Sequence, residues 1–204
     1  MTEIVIVRHG NTFDAGDVLL RVGAHTDLPL SESGRRQARA LATHFGSRFA
    51  EGFDVAMSSP LRRTQETANT ILSAYKAPPR LTTEAFLTEI DYGPDEGQPE
   101  EAVVRRLGKA AIDAWDADAI VPPDWVVDPA QLRRDWQLLF KRHTTTEAPQ
   151  RVLILTSNGV ARFALDAVTS GRNKADGLKL KTGAYGVIKA GPEGIELLEW
   201  NQRP

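Results

Sequence analysis

A chain of 204 residues, with 41% hydrophobic and 25% charged side chains, is long enough for a single globular domain with a sizeable core. Its formal charge of -2, from 25 basic and 27 acidic residues, argues against nucleic acid or a membrane as the main partner. The absence of cysteine excludes disulfides, thiolate metal sites and cysteine nucleophiles. Because no leader opens the chain and no apolar run approaches ~20 residues, we expect a soluble cytoplasmic protein.

The predicted elements begin with a buried strand that ends in polar residues. Ile4 to Val7 is a β-branched apolar run, typical of a strand inside a parallel sheet. Arg8, His9 and Gly10 follow at its carboxyl end, where open α/β sheets bind their ligands. A histidine beside a fixed positive charge and a glycine favours phosphate chemistry; from these residues alone, a histidine that only caps the strand is the alternative.

Helix and strand then alternate along the chain. Ser31 or Ser33 caps a helix whose apolar residues recur every three or four positions opposite several arginines. Residues 54–59 predict a second buried strand, and Pro60 is expected to open the next helix at its first turn.

The middle of the chain predicts helices rather than strands. Helical stretches around 99–117 and 129–144 flank a loop at 118–129 that is rich in proline and aspartate. We interpret residues 98–150 as a helical and loop insertion over the edge of the sheet.

The last third of the chain returns to strands. Residues 151–157 predict the clearest strand of all, and a helix is expected to start at Asn158. A hairpin follows over residues 185–200, with its turn at residues 191–194. Alternating strands and helices predict one α/β domain over residues 1–204, with three α/β/α layers and a mostly parallel central sheet.

Three predicted strands end in residues that suit an anion. Arg8 and His9 follow the first strand, and Arg62 and Arg63 follow the second. Asn158 follows the long late strand, and if these strands are parallel neighbours their ends meet at one edge. The helix dipole disfavours cations in a first turn, so a pair of arginines there indicates that at least one binds an anion. The three segments together predict a phosphoryl site.

The residues around His9 resemble the Arg-His-Gly signature of the histidine phosphatase superfamily, also called the phosphoglycerate mutase-like family. That tripeptide alone is a weak signal, but further segments resemble the family's motifs in the same order along the chain. They are residues 27–38, residues 59–68 with Arg63 at the catalytic position, residues 87–97 with Glu89 in the acid-bearing loop, and residues 152–163. The resemblance implies a phosphoglycerate mutase-like fold.

The resemblance also implies an activity, that of a phosphohydrolase acting on a phosphomonoester through a phosphohistidine on His9. Arg8 and Arg63 would clamp the phosphoryl oxygens and disfavour the protonated imidazole. Glu89 would protonate the leaving oxygen and later deprotonate the incoming water. Because the arginines supply the positive charge, we expect no metal and no cofactor, and a small phosphorylated molecule as the partner.

The chain departs from the family pattern at Asn158, where the family has a second histidine that contacts the transferring phosphoryl group. An asparagine donates a hydrogen bond but carries no charge. Losing one such donor costs about 10²–10³ in rate, and a weaker replacement costs less. Two functions therefore stay open, a retuned phosphatase and a phosphate-binding regulatory module (a pseudophosphatase) with weak or no turnover. Ala15, where mutases place an asparagine, argues against a sugar-phosphate mutase.

Two further sets of residues bear on the substrate. The candidate ligands beside the motifs and in the loop after His9 are Asn11, Thr12, Ser59, Arg21, His25 and Thr26. The tryptophans that either roof the pocket or pack in the core are Trp115, Trp125 and Trp136. A third and weaker hypothesis is a phosphatase that removes the phosphoryl group from a histidine of another protein. It is weaker because an insertion near the sheet edge favours small substrates. The oligomeric state and the specific substrate have no signal in the sequence.

Overall fold

Six strands form one mixed sheet in the order β3-β2-β4-β1-β5-β6 in the computed structural model, which describes residues 1–144 and 148–204. The strands are β1 (Thr2–Arg8), β2 (Val55–Ser58), β3 (Leu81–Thr83), β4 (Arg151–Thr156), β5 (Tyr185–Gly191) and β6 (Gly194–Gln202). The first four are parallel, since β4 pairs with β1 and β2, and β2 pairs with β3. The hairpin of β5 and β6 adds two antiparallel strands beside β1. The predicted mostly parallel sheet and the predicted hairpin are confirmed.

Six α-helices connect the strands in the described part of the chain. They are α1 (Glu32–Arg48), α2 (Arg62–Leu72), α3 (Glu100–Leu107), α4 (Lys109–Asp118), α5 (Pro129–Thr144) and α6 (Asn158–Ala161). Short 3₁₀ helices are formed by Ala85–Leu87, Gly93–Asp95, Arg162–Ala167 and Arg172–Lys174. None of the helices described is long and apolar enough to cross a bilayer.

The two faces of the sheet carry separate hydrophobic clusters because side chains alternate along each strand. On β1, Ile4 and Ile6 join the cluster that contains Trp136 of α5. Val5 and Val7 join the cluster on the opposite face, which contains Phe45 of α1 together with residues of α2. Helices therefore cover both faces, and the predicted three-layer α/β/α architecture is confirmed.

The start of α1 follows the predicted capping chemistry, whereas the start of α2 does not. The Ser31 hydroxyl accepts a hydrogen bond from the Gly34 amide at 3.2 Å and so caps α1. Helix α2 begins at Arg62 with Leu61 at the N-cap, so the prediction that Pro60 occupies the first turn is wrong. The Ser59 hydroxyl accepts the Leu61 amide at 3.3 Å, and this local turn delays the helix past the proline.

The middle stretch divides where the sequence pattern showed no break. Gly108 has a φ of 82°, a left-handed value that glycine adopts readily, and it separates α3 from α4. Trp136 and Phe140 of α5 are buried in the core on one face of the sheet. The interpretation of residues 98–150 as an insertion stays a prediction, but α5 is an integral part of the core.

Candidate active site

The polar strand ends predicted to meet do lie together at the carboxyl edge of the sheet. Strand β4 lies between β1 and β2, so the segments that follow these three strands are neighbours. A cavity of about 450 Å³ opens there. We call the following residues the floor: Arg8, His9, Glu89 and Asn158, which line the cavity, and Arg63, which contacts His9.

The hydrogen bonds of His9 define its tautomer. Its Nδ1 lies 2.7 Å from the carbonyl oxygen of Gly10, which can only accept, so Nδ1 carries the proton. Nε2 consequently holds the lone pair, and the Nε–H of Arg63 donates to it at 3.3 Å. The side chain is buried, with only 5% of the residue exposed. His9 therefore presents a neutral nucleophilic nitrogen beside a guanidinium.

The surroundings of His9 keep its ring uncharged. Burial lowers the pKa of the His9 imidazole well below its usual value near 6.5, and the positive charges of Arg63 and Arg8 lower it further. The hydrogen bond to the Gly10 carbonyl opposes this effect without cancelling it. At neutral pH the ring is deprotonated at Nε2 and competent as a nucleophile.

Backbone carbonyls hold the two floor arginines in place. The terminal nitrogens of Arg63 donate to the Thr26 oxygen at 2.8 Å and to the Gly23 oxygen at 3.1 Å. Arg8 donates to the Leu180 oxygen at 3.0 Å, and its Nε–H has no hydrogen-bond partner among the described residues. Burial lowers the pKa of both guanidiniums, yet a guanidinium keeps its charge in proteins. Two fixed cations therefore flank the imidazole.

Glu89 lies against the end of β4 because residue 159 is a glycine. Only 5% of Glu89 is exposed, and its Oε1 accepts the Ile90 amide at 3.0 Å. The Gly159 amide approaches Oε2 at 3.4 Å. A Cβ atom on Gly159 would lie 2.3 Å from Oε1, closer than any real contact. The glycine thus allows a carboxyl group to line the cavity that the His9 imidazole also lines.

One backbone segment, missed in the sequence analysis, orients two floor residues. The Leu180 amide donates to Asn158 Oδ1 at 2.8 Å, while the Leu180 carbonyl accepts from Arg8. Since the oxygen of the Asn158 amide is engaged, its NH₂ group is the donor left for a ligand. Nearby, the Thr182 hydroxyl donates to Asn11 Oδ1 at 2.5 Å. Backbone groups act through any residue type, so no sequence signal marks this segment.

Arg162 is a second residue that the motifs did not reveal. It is almost fully buried, and its Nε–H donates to the backbone oxygen of Asn158 at 3.3 Å. Its guanidinium lies 4.1 Å from the centroid of the Trp115 ring and 3.6 Å from Asp116. An arginine within the apolar run of residues 160–168 was the signal that could have drawn attention to it. Arg162 therefore supports the backbone of Asn158 and is itself outside the cavity lining.

The remaining predicted ligands separate into two groups. Asn11, Thr12 and Arg21 line the cavity, and their roles in binding stay predictions. Three predicted ligands are outside the cavity lining: Ser59, His25 and Thr26. Ser59 is buried against Thr64, and the side chain of His25 is 74% exposed. Thr26 accepts a hydrogen bond from Arg63 through its carbonyl oxygen.

The tryptophans also separate. Trp115 lines the cavity. Trp125 packs against the Trp115 ring, with the two ring centroids 5.5 Å apart. Trp136 lies in the core and donates its indole N–H to the Val160 oxygen at 3.0 Å. Only Trp115 is positioned to contact a molecule in the cavity.

A second set of cavity-lining residues, which we call the wall, combines apolar side chains with two ion pairs. Arg21 pairs with Glu100, and Lys179 Nζ lies 3.4 Å from Asp116 Oδ2. The apolar members of the wall are Phe13, Leu19, Leu20, Val22, Ile112 and Trp115.

The sequence profile of the Histidine phosphatase superfamily (branch 1) matches residues 4–203. The chain belongs to this superfamily. Among its relatives, the uncharacterised phosphatase PhoE of Bacillus subtilis is 34% identical over 106 residues, 52% of this chain and 51% of PhoE. A 2,3-bisphosphoglycerate-dependent phosphoglycerate mutase of Rhizobium etli is 32% identical over 129 residues, 60% of this chain and 58% of the mutase. The chain thus spans about half the length of the curated relatives it matches.

Solved structures share the fold of this superfamily member over its whole length. The mycobacterial glucosyl-3-phosphoglycerate phosphatase superposes with a TM-score of 0.77 at 20% identity, covering 100% of both chains. Bacillus stearothermophilus YhfR superposes with a TM-score of 0.76 at 22% identity, covering 100% of this chain and 98% of its own. At such identities the agreement shows the fold alone.

One cluster outside the cavity lining has the composition of a metal site. His25, Asp91 and Glu96 bring potential ligand atoms within 4.8 Å of one another. Glu96 Oε1 already accepts the His25 amide at 2.6 Å and the Thr26 hydroxyl at 2.8 Å. His25 Nε2 lies 3.3 Å from Asp91 Oδ2. These contacts tie together the loops that position Arg63, and the expectation that the superfamily site needs no metal stays a prediction.

Proposed function

We propose that the chain is a phosphohydrolase that removes the phosphoryl group of a small phosphomonoester by way of a phosphohistidine on His9. The observation that carries the proposal is the state of His9. Its Nε2 has a lone pair, its pKa is lowered, and two guanidiniums flank it at the cavity floor. Cations beside a neutral nucleophile suit attack on an anionic ester.

In the first step His9 Nε2 forms a bond to phosphorus, and the phosphorus–oxygen bond of the ester breaks. Glu89 in its acid form gives its proton to the leaving oxygen, so the alcohol departs neutral. The Nε–H of Arg63, which donates to Nε2 in the free protein, turns to a phosphoryl oxygen once that lone pair is used. The Nε–H of Arg8, which has no partner among the described residues, supplies a further donor.

In the second step water attacks phosphorus and Glu89, now a carboxylate, takes a proton from it. The phosphorus–nitrogen bond breaks, its electron pair returns to Nε2, and inorganic phosphate leaves. The NH₂ group of Asn158 donates to a phosphoryl oxygen in both steps, since the Leu180 amide holds the Asn158 oxygen. Glu89 ends each cycle protonated and ready for the next ester.

A second candidate function rests on Asn158. An amide stands where the superfamily pattern has a histidine, so the site stabilises transferring charge less strongly. A phosphate-binding regulatory module with weak or no turnover would use the same floor to hold phosphate. The two functions differ in turnover and share phosphate binding.

The test is hydrolysis of a panel of phosphomonoesters by the wild-type protein and two histidine variants. We expect His9→Ala to lower kcat by about 10⁴-fold or more, because the nucleophile is removed. His44→Gln is the matched control, since His44 contacts Tyr185 at 2.8 Å and does not line the cavity. Full activity in His9→Ala would overturn the proposal. A wild-type protein that hydrolyses no ester but whose melting temperature rises with phosphate is instead the regulatory module.

A further inference from the structure

We propose that the substrate is the phosphomonoester of an uncharged, partly apolar alcohol, and that Glu100 and Asp116 exclude esters whose leaving group carries a negative charge. The inference rests on the proposed phosphatase function and names the substrate class of that site. It follows from the pairing of charges in the wall.

Both wall cations are already paired with acids. Arg21 forms an ion pair with Glu100, and Lys179 forms one with Asp116 at 3.4 Å. A carboxylate or second phosphate on the leaving group would meet Glu100 and Asp116 as well as these cations. Its charge would then be desolvated without a cation of its own, which weakens binding.

Arg21 is also fixed by aromatic contacts. Its guanidinium lies 5.1 Å from the centroid of the Tyr92 ring and 5.2 Å from that of Trp125. Only 13% of its side chain is exposed. Turning the terminal nitrogen of Arg21 that pairs with Glu100 toward a ligand would break these contacts as well as the ion pair, so that nitrogen stays with Glu100 when a substrate enters.

Asp116 faces one more cation, and that cation is outside the cavity lining. Arg162 lies 3.6 Å from Asp116 and is almost fully buried. Its Nε–H and one terminal nitrogen donate to the carbonyl oxygens of Asn158 and Trp115, and the guanidinium lies over the Trp115 ring. Its other terminal nitrogen faces Asp116 and has no hydrogen-bond partner among the described residues. Because Arg162 is outside the cavity lining, it acts on Asp116 and gives no direct contact to an anionic leaving group.

The rest of the wall suits an apolar molecule of modest size. Leu20, Val22, Ile112 and Trp115 present apolar surface to the cavity. A volume of about 450 Å³ falls within the range of small-molecule sites and is too small for a folded protein. An uncharged leaving group loses little hydration on entering and gains contact with these side chains. Phosphoglycerate, the substrate named for the Rhizobium etli relative, carries a carboxylate and lacks that match.

The test compares two esters that differ only in a remote charge, benzyl phosphate and 4-carboxybenzyl phosphate. We expect the wild-type protein to favour benzyl phosphate in kcat/KM by about tenfold or more, a preference typical of one unpaired charge. Glu100→Gln frees Arg21, and Asp116→Asn frees Lys179. Each change should shift the ratio toward the carboxylated ester by about tenfold.

The matched controls are Glu101→Gln on α3 and Asp118→Asn on α4. Both residues are exposed and outside the cavity lining, and each change removes the same charge one or two positions away. These controls should leave the ratio unchanged. A wild-type protein that uses both esters equally, or wall variants that shift the ratio no more than the controls do, would overturn the inference.

A binding measurement separates this inference from the proposed function. Calorimetry with benzylphosphonate and 4-carboxybenzylphosphonate needs no turnover and does not depend on any variant folding. If no ester is hydrolysed but benzylphosphonate binds about tenfold more tightly, the phosphatase function fails and the leaving-group preference holds. Equal or tighter binding of the carboxylated phosphonate overturns the preference, whatever the hydrolysis assay shows.

Discussion

The floor and the wall of the cavity are held by different kinds of interaction. In the floor, the backbone carbonyls and amides of Gly10, Gly23, Leu180 and Gly159 fix buried side chains. In the wall, side chains from distant parts of the chain pair with one another, as Arg21 does with Glu100. Backbone contacts survive most substitutions, whereas side-chain pairs change with a single residue. Substitutions in the wall can therefore change which substrates bind, while the floor keeps the arrangement of the reacting groups.

The same contrast governs tolerance to mutation. A buried polar group in the floor costs stability when its partner is removed. The wall acids Glu100 and Asp116 are each 38% exposed at the side chain, so their ion pairs contribute little to the free energy of unfolding. We therefore expect floor variants to change kcat for every ester, and wall variants to change the ranking of esters.

The largest effect after loss of the nucleophile is expected for Glu89→Gln in the floor. An amide can neither protonate the leaving alcohol nor deprotonate water, so kcat for benzyl phosphate should fall by about 10²–10⁴-fold. The first step with p-nitrophenyl phosphate should be less affected, because p-nitrophenolate leaves without a proton. Stopped-flow and steady-state assays measure both steps, with Glu101→Gln as the control. Wild-type kcat in Glu89→Gln would remove Glu89 from the mechanism.

A smaller effect is expected for Gly159→Ala, which tests how the floor is supported. The added Cβ would lie 2.3 Å from Glu89 Oε1 and 3.0 Å from an Ile90 side-chain carbon, so the carboxyl group must shift. A displacement of that size should cost about 10²-fold in kcat. Overpacking should also lower the free energy of unfolding by about 1–3 kcal/mol.

Gly46→Ala is the control for this substitution. Gly46 lies within α1, and a Cβ atom added there would meet only the Ala74 Cβ, at an ordinary contact distance of 3.9 Å. It should leave kcat unchanged and raise the free energy of unfolding by about 0.5–1 kcal/mol. Denaturant titration and kcat measure both variants. An unchanged kcat in Gly159→Ala would show that the position of Glu89 is not critical.

Asn158→His introduces the histidine that the family resemblance implies at this position and is expected to raise kcat by about tenfold. The Leu180 amide, which now donates to the Asn158 oxygen, would donate to Nδ1 of the new ring. That contact leaves Nε2–H as a donor to the phosphoryl group. Steady-state kinetics with benzyl phosphate measures the gain, and Asn158→Ala gives the value without a donor. A kcat equal to that of the wild-type protein would show that residue 158 does not limit the rate.

The smallest effect concerns pH. Because burial and two arginines lower the pKa of His9 well below 6.5, its ring should stay neutral between pH 7 and pH 6. In the unfolded chain the same ring takes up a proton below about pH 6.5, whereas the buried ring of the folded protein does not. The free energy of unfolding should therefore be independent of this ring above that pH and should decrease as the pH falls below it. NMR titration of the His9 ring measures this directly. A midpoint at or above 6.5 would contradict the described environment.

Much of the fold was predictable because it depends on local patterns. The apolar run from Ile4 to Val7 is a strand, and the hairpin near the C-terminus forms as expected. The start of α2 was missed because the Ser59 hydroxyl takes the Leu61 amide, which is a tertiary detail of one turn. The break at Gly108 was missed because the helical pattern continues on both sides of it.

The floor was more predictable than the wall for a physical reason. Parallel strands bring their carboxyl ends together, so His9 and Asn158 were expected to meet around one cavity, and they line the same one. The wall depends on pairs far apart in sequence, such as Arg21 with Glu100 and Asp116 with Lys179. Such pairs leave no periodic or local signal in a single sequence.

The central claim is that His9 Nε2 takes the phosphoryl group, and rapid quench with ³²P-labelled benzyl phosphate tests it most directly. We predict a labelled protein that is stable in alkali and labile in acid, with the phosphate mapped to His9 by mass spectrometry. With ³²P-labelled p-nitrophenyl phosphate, whose leaving group needs no proton, the label should accumulate in Glu89→Gln because the second step lacks a base, and it should be absent from His9→Ala. Release of phosphate with no labelled protein, or a label on another residue, would contradict the account.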